Sequence, residues 1–341
     1  MIKEYQDIES AITALLSTAD GINKLESRRR AICRVAEVAK DIEKWGWADR
    51  TWGLCRRPGI WFSTTQGQAA QADTDGCVLS VQMLGREIGK LQINRKATAR
   101  YVFIPLKKFK PNRDRWDWSR NPGHGQEIRK FLKALKENQK WDVKKVQERE
   151  IQWQLAEQLD NITTGPLKNL STVRWVGCPT EIGVSLTAKG NIGTGTIDLL
   201  VRRRSGGKKG AQFLVFEVKR PGKAAKPKPT LIQAIRYAVA LHVEANENEK
   251  TRRCYRTAFG SRKEANLLFG AVIVMENTPD NREAGEKALK QLNPHADPTH
   301  NAKADRLGML LYTWNNETKR AHSWTWLKEG DPREKPADPV L

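Results

Sequence analysis

Apolar positions near the amino terminus recur every three or four residues. Ile8, Ile12, Leu15 and Leu16 make one stripe, and Ile32, Val35, Ala36, Val38 and Ile42 make a second, so the first fifty residues read as amphipathic helices. Beyond Trp45, Trp47, Trp52 and Trp61 the period shortens. Residues 60–63, 77–83 (CVLSVQM) and 101–104 (YVFI) are runs rich in β-branched and aromatic residues, and they read as strands. The turn-rich stretch 66–76 reads as a hairpin connection. Pro111, Pro122, Gly123 and Gly125, set among charges, make residues 109–127 a linker.

Helical spacing resumes over 128–136 and again over 143–159, where Ile151, Leu155 and Leu159 form a stripe. Strand composition then takes over at 172–176, 182–186, 195–201 (GTIDLLV) and 213–218 (FLVFEV), with a basic turn between the last two. A helix is predicted over 231–243, with Ile232, Ile235, Val239 and Val243 on its buried side. The nearly continuous apolar run 267–275 is what a strand covered on both faces requires. Residues 307–313 are a further strand. This order predicts an α/β fold, a mixed sheet flanked by helices, with an N-terminal α+β domain. For 341 residues two domains are expected: 1–110 for substrate or partner recognition and 143–328 for the chemistry, joined by a linker and helix over 111–142 and followed by a flexible tail, 329–341.

Charge narrows the partner. Sixty Lys and Arg against 39 Asp and Glu leave a net +21, with both halves basic, which favours a polyanion. The apolar run 269–275 is far short of the ~20 residues that a membrane helix needs. The N-terminus has no basic segment leading into an apolar one, so a cytoplasmic protein with no membrane partner is expected. Five scattered cysteines without a C-x-x-C pair exclude a cysteine-cluster metal site and fit a reducing compartment. His295 and His300, between Pro294 and Pro298, read as loop residues. There is no phosphate-binding G-x-x-x-x-G-K-[ST] loop, so any ATP-driven step would need a separate ATPase partner. No dinucleotide fingerprint or Ser-His-Asp spacing is present.

Candidate chemistry lies in the second half. Asp198 interrupts the apolar run Ile197, Leu199, Leu200. Nineteen residues on, Glu217 and Lys219 share one face of an apolar strand, since side chains two apart point the same way. Buried charges of this kind are costly unless paired or bound to an ion. Two strands joined by a turn lie antiparallel, which brings Asp198 beside Glu217. Two neighbouring carboxylates invite a hard divalent cation.

Asp198 with Glu217-x-Lys219 resembles the core of the PD-(D/E)xK nuclease superfamily, the restriction-endonuclease-like fold, over roughly residues 143–315. Ile197 stands where the family name has Pro. The resemblance implies that Asp198, Glu217 and the Val218 carbonyl hold Mg²⁺ (or Mn²⁺), and that Lys219 positions or activates the attacking water. It also implies a metal-facing Glu on the preceding helix. Glu148 fits best, because it shares a face with the 151/155/159 stripe; Glu150 is the fallback. Gln233 and Tyr237, one helical turn apart, are similar to the Gln-x-x-x-Tyr element of the exonuclease-like branch, where they lie near the metal and the scissile phosphate.

The loops around the motif agree. Arg202, Arg203, Arg204, Lys208, Lys209, Arg220, Lys223, Lys226 and Lys228 read as phosphate contacts on both sides of the site, together with Tyr237. Trp116, Trp118, Trp314, Trp324 and Trp326 read first as core or interface residues and second as platforms for unpaired bases. The expectation is therefore a metal-dependent phosphodiester hydrolase, DNA favoured, suited to microbial DNA processing or defence against foreign DNA. Two alternatives remain open, a non-catalytic nucleic-acid-binding subunit on the same fold and an RNA-directed nuclease. A homodimer would suit cleavage of two strands.

Overall fold

The computed structural model describes residues 5–44, 60–63, 76–83, 86–94, 100–109, 114–117, 124–138, 147–161, 167, 170–172, 182–187, 189–203, 211–222, 226–259, 267–293, 303–318 and 320–327. The expected hairpin connection between the first two strands, most of the linker, Trp45, Trp47, Trp52, Trp118, Arg204, Lys208, Lys209, Lys223, His295, His300 and the tail lie outside the described residues.

Within them the chain is mixed α/β. Two N-terminal helices, α1 (Tyr5–Leu16) and α2 (Ala19–Lys44), precede a five-stranded antiparallel sheet. Its strands are β1 (Ile60–Ser63), β2 (Gly76–Met83), β3 (Arg86–Asn94), β4 (Arg100–Pro105) and β5 (Trp116–Asp117), hydrogen-bonded in that order. β3 was not expected from the sequence: its charges and Gly89 (REIGKLQIN) obscure the alternation, although Ile88 and Leu91 are buried.

Helices α3 (His124–Asn138) and α4 (Gln147–Asn161) lead into the second half. There a six-stranded mixed sheet runs β13-β12-β11-β10-β9-β6. Its members are β6 (Leu170–Thr172), β9 (Leu199–Arg203), β10 (Ala211–Val218), β11 (Leu267–Glu276), β12 (Ala304–Asn315) and β13 (Arg320–Leu327). The central trio β10, β11 and β12 is parallel, and β9 and β13 flank it antiparallel. Strand alternation splits the core. Phe213, Val215 and Ile273 face α5 (Pro227–Ala245), whereas Leu214, Phe216 and Val274 face α4 with Ile151, Leu155 and Leu159. At about 1.5–3 kcal/mol for each fully buried large apolar side chain, these two layers hold the sheet between helices.

Helix α5 buries more than the predicted stripe. Ile235 and Val239 are fully buried, but Ile232 and Val243 only partly, while Leu231, Ala234, Ala238 and Leu241 complete a second buried flank. The cause is that α5 is covered twice, by the sheet and by α1. The small helix α6 (Glu249–Ala258), capped by the Asn248 side chain on the Thr251 N–H, and α7 (Pro279–Gln291) were not anticipated, because about half of their residues are charged and few are large and apolar.

The N-terminal helices are part of this second core. Ile8, Ile12 and Leu16 cluster with Leu231 and Ile235. Arg29 donates to the carbonyls of Val243 and Glu244, Lys303 meets Glu9 at 3.0 Å, and a disulfide joins Cys33 on α2 to Cys254 on α6. That pairing was not legible in the scattered cysteines and runs against the reducing compartment expected from them. Among the described residues no helix is long and apolar enough to cross a membrane. Trp116 is fully buried, stacks on Phe103 and donates to Glu127, and Trp314 is buried, so neither is a platform for bases.

Candidate active site

Residues 195–201 read as one strand from sequence, but the structure divides them. Among the described residues β8 (Ile192–Ile197) pairs with β7 (Ile182–Leu186) in a separate two-stranded ladder, and β9 belongs to the large sheet. Asp198 is the single residue between. Ile197 packs in the α5-side layer and Leu199 in the α4-side layer, whereas residues two apart in an unbroken strand share a face, so the chain bends at Asp198. Gly195 fixes how close β8 comes to α5: a Cβ there would meet the Leu186 carbonyl oxygen at 1.4 Å and the Tyr237 ring at 2.8 Å.

The antiparallel register pairs Phe216 with Leu199 and therefore carries Glu217 to the level of Asp198. Asp198 Oδ2 accepts the Val218 N–H at 2.8 Å. The next amide, Lys219 N–H, donates to the Val274 carbonyl on the opposite side. All described peptides are trans, and a trans peptide points its C=O away from its N–H. The Val218 carbonyl consequently faces away from β11, toward the Asp198 side. Lys219 Nζ lies 2.5 Å from Glu217 Oε1, as the shared face predicted.

Electrostatics follow from this crowding. Burial and then the Glu217 charge push the Asp198 carboxyl well above the usual range, with Lys219 opposing and Glu148 adding to the rise. Burial also raises Glu217, only partly offset by Lys219. The Lys219 ammonium is desolvated, yet Glu217, Asp198 and Glu148 together hold its proton above the ordinary lysine range. One cation thus faces three carboxylates. Glu217 Oε2, buried, has no hydrogen-bond partner. Such an oxygen is costly to leave unmade and is a natural ligand position for a cation.

Glu148 is the acid that α4 contributes. It lies within electrostatic reach of Asp198, Glu217 and Lys219, while the fallback Glu150 turns aside to Gln154 and Arg320. Gln233 and Tyr237 come to the site from α5. The Tyr237 hydroxyl is hydrogen-bonded to the Gln233 side chain and the Thr196 backbone, and burial with the nearby acids pushes it up to about 12. Tyr237 is only 2% exposed, which corrects its reading as a nucleic-acid contact: it props the wall of the site from beneath. Among the described residues no three His, Cys, Asp or Glu side chains are gathered tightly enough to form a ready metal cage.

The basic residues divide. A turn that makes two strands antiparallel lies at the end opposite to the residues it aligns at their far termini. Arg202 pairs with Phe213, four residues from Glu217, roughly 13 Å along a strand at about 3.3 Å per residue. Arg202 and Arg203 are therefore at the far end of the two paired strands and do not flank the site; Arg203 bonds Gln212. Arg220, Lys226 and Lys228 do follow Lys219 at the near end. Lys226 is exposed, while Lys228 reaches Gln291 at 3.1 Å.

Sequence reasoning missed the supports of this loop. The Tyr312 hydroxyl donates to the Lys219 carbonyl at 2.7 Å, and Glu276 Oε2 accepts the Gly222 N–H at 3.0 Å, where Gly222 turns with φ +67°. Their only signal was a polar tip or a charge at the end of an apolar strand. The chain matches no protein-family model, no curated protein and no solved structure.

Proposed function

We propose that the chain is a metal-dependent nuclease that hydrolyses phosphodiester bonds, DNA favoured, with a restriction-endonuclease-like second half. The observation that carries the reading is the convergence of Asp198, Glu217 and Lys219 at one end of the sheet, with an orphaned carboxylate oxygen beside them. The donor set is all oxygen and carries excess negative charge, which suits Mg²⁺ or Mn²⁺. Asp198, Glu217, Glu148 and the Val218 carbonyl would hold the ion. Bound there, it supplies charge neutralisation and makes a water molecule more acidic.

The chain's own residues do the rest. Lys219, kept protonated by the acids, stabilises charge that develops on the phosphate; a preorganised donor of this kind contributes about 10²–10³-fold. Val218 N–H fixes the Asp198 carboxylate so that its other oxygen is left to a ligand. Gln233 and Tyr237 wall the site on the α5 side, and Arg220 and Lys226 offer phosphate contacts beyond it. Glu217 holds the Lys219 ammonium through Oε1, and its Oε2 would be the oxygen offered to the ion.

The test is a panel of labelled linear, circular, nicked, branched and single-stranded DNA and RNA with Mg²⁺ or Mn²⁺. Cleavage by the native chain, lost in Asp198→Ala with binding retained, is the expected result. No cleavage of any form, together with no calorimetric Mg²⁺ uptake, would leave a non-catalytic nucleic-acid-binding module in its place.

A further inference from the structure

Three consecutive peptides of the motif are each held by a different part of the molecule. The Glu217–Val218 peptide is bonded to Asp198, the Val218–Lys219 peptide to Val274, and the Lys219–Arg220 peptide to Tyr312. The first two bonds belong to the site and to the sheet ladder. The third comes from β12, a strand that does not touch β10 because β11 lies between them. We propose that Tyr312 is a positioning residue for the Lys219 ammonium, a role that rests on the nuclease reading of this site.

The physical need is clear. A lysine ammonium sits at the end of four rotatable bonds and carries about 2 kcal/mol of rotamer entropy. Its placement starts from the Cα–Cβ direction, which the two peptide planes flanking the residue define. Val274 fixes one plane and Tyr312 the other. Immediately after, the chain turns at Pro221 and Gly222, and its next anchor is the Gly222 N–H on Glu276. Without the phenol hydroxyl the Lys219–Arg220 peptide is free to rotate between those anchors, and the ammonium moves with it. Tyr312 is fully buried, and burial with Glu276 and Glu148 keeps its proton on, so it stays a donor throughout the working pH range. Its ring packs against Trp324, so removing the hydroxyl alone leaves the packing in place.

Tyr312→Phe in the full chain tests this. The expected result is a fall in kcat of about tenfold with KM unchanged, because small misplacements of catalytic groups cost rate. In a Lys219→Ala background the same substitution should cost nothing further. An equal loss in both backgrounds, or a loss carried in KM, overturns the proposal. A second measurement does not depend on cleavage. With ¹³C-labelled lysine, the Lys219 ε-methylene signal, identified by its loss in Lys219→Ala, should be displaced from the free-lysine position by its contact with Glu217 in the native chain and move toward that position, with narrower lines, in Tyr312→Phe. An unchanged signal overturns the positioning role. A moved signal in a protein that cuts nothing supports the positioning role and rejects the nuclease reading instead.

Discussion

Two clusters of buried charge in this chain are built differently. Between α2, α5 and α6, Glu244 is fully buried with Arg28 3.7 Å away, the Tyr255 hydroxyl donating to it, and Arg29 on its main-chain carbonyl. A single acid there meets its cation and its donors. At the end of β10, Asp198, Glu217 and Glu148 crowd around one ammonium, and one Glu217 oxygen bonds to nothing. The first cluster joins helices. The second retains an unmet demand for positive charge, which supports the proposed reading of it as a site.

The contrast predicts opposite responses to neutralisation. Glu244→Ala leaves the buried Arg28 without its acid and should cost about 3–5 kcal/mol, read as a lowered denaturation midpoint. Native-like stability in this variant would remove the distinction. Asp198→Ala and Lys219→Ala should lower cleavage by about 10²–10³-fold or more while nucleic-acid binding persists, measured by single-turnover rates and equilibrium binding.

Asp198→Asn should do the reverse of Glu244→Ala and stabilise the fold, by about 1 kcal/mol near neutral pH. The sign follows from the raised carboxyl. Its folded form holds the proton more tightly than the unfolded chain, so the native state is favoured below the ordinary carboxyl range near ~4 and loses that advantage as pH rises toward the elevated value. The gap in melting temperature between Asp198→Asn and the native chain should thus open with rising pH. Added Mg²⁺ should close it by stabilising only the native chain, and a gap independent of pH and Mg²⁺ would count against a strained site.

The smallest effect separates the two ends of the hairpin. Lys226→Ala should reduce the salt dependence of duplex binding by about 0.9, one phosphate, and Arg203→Ala should not. Equal effects would return the far-end arginines to the site.

The same hairpin shows how far the sequence could be read. An antiparallel turn brings Asp198 beside Glu217, and by the same geometry it carries Arg202 and Arg203 away, so their distance was legible and was overlooked in favour of closeness along the chain. Glu148 over Glu150 was legible too, because helical phase with Ile151, Leu155 and Leu159 is a local property. The bend at Asp198 was not. It arises because β8 leaves for a ladder with β7, a choice made by Gly195 packing under Tyr237.

The sequence by itself determined the central strands β10, β11 and β12, the apolar layers on the two faces of the sheet, and the pairing of Asp198 with Glu217 and Lys219, but neither the edge strand β13 nor the break at which β9 begins. Periods of two and of 3.6 residues, and the handedness of a turn, are properties of neighbouring residues. Only the tertiary structure decided which helices cover the sheet, that α1 and α2 share its core, that Tyr237 is buried, and that Tyr312 reaches Lys219 across an intervening strand. Those depend on contacts between residues tens to hundreds of positions apart, where burial outweighs any local preference.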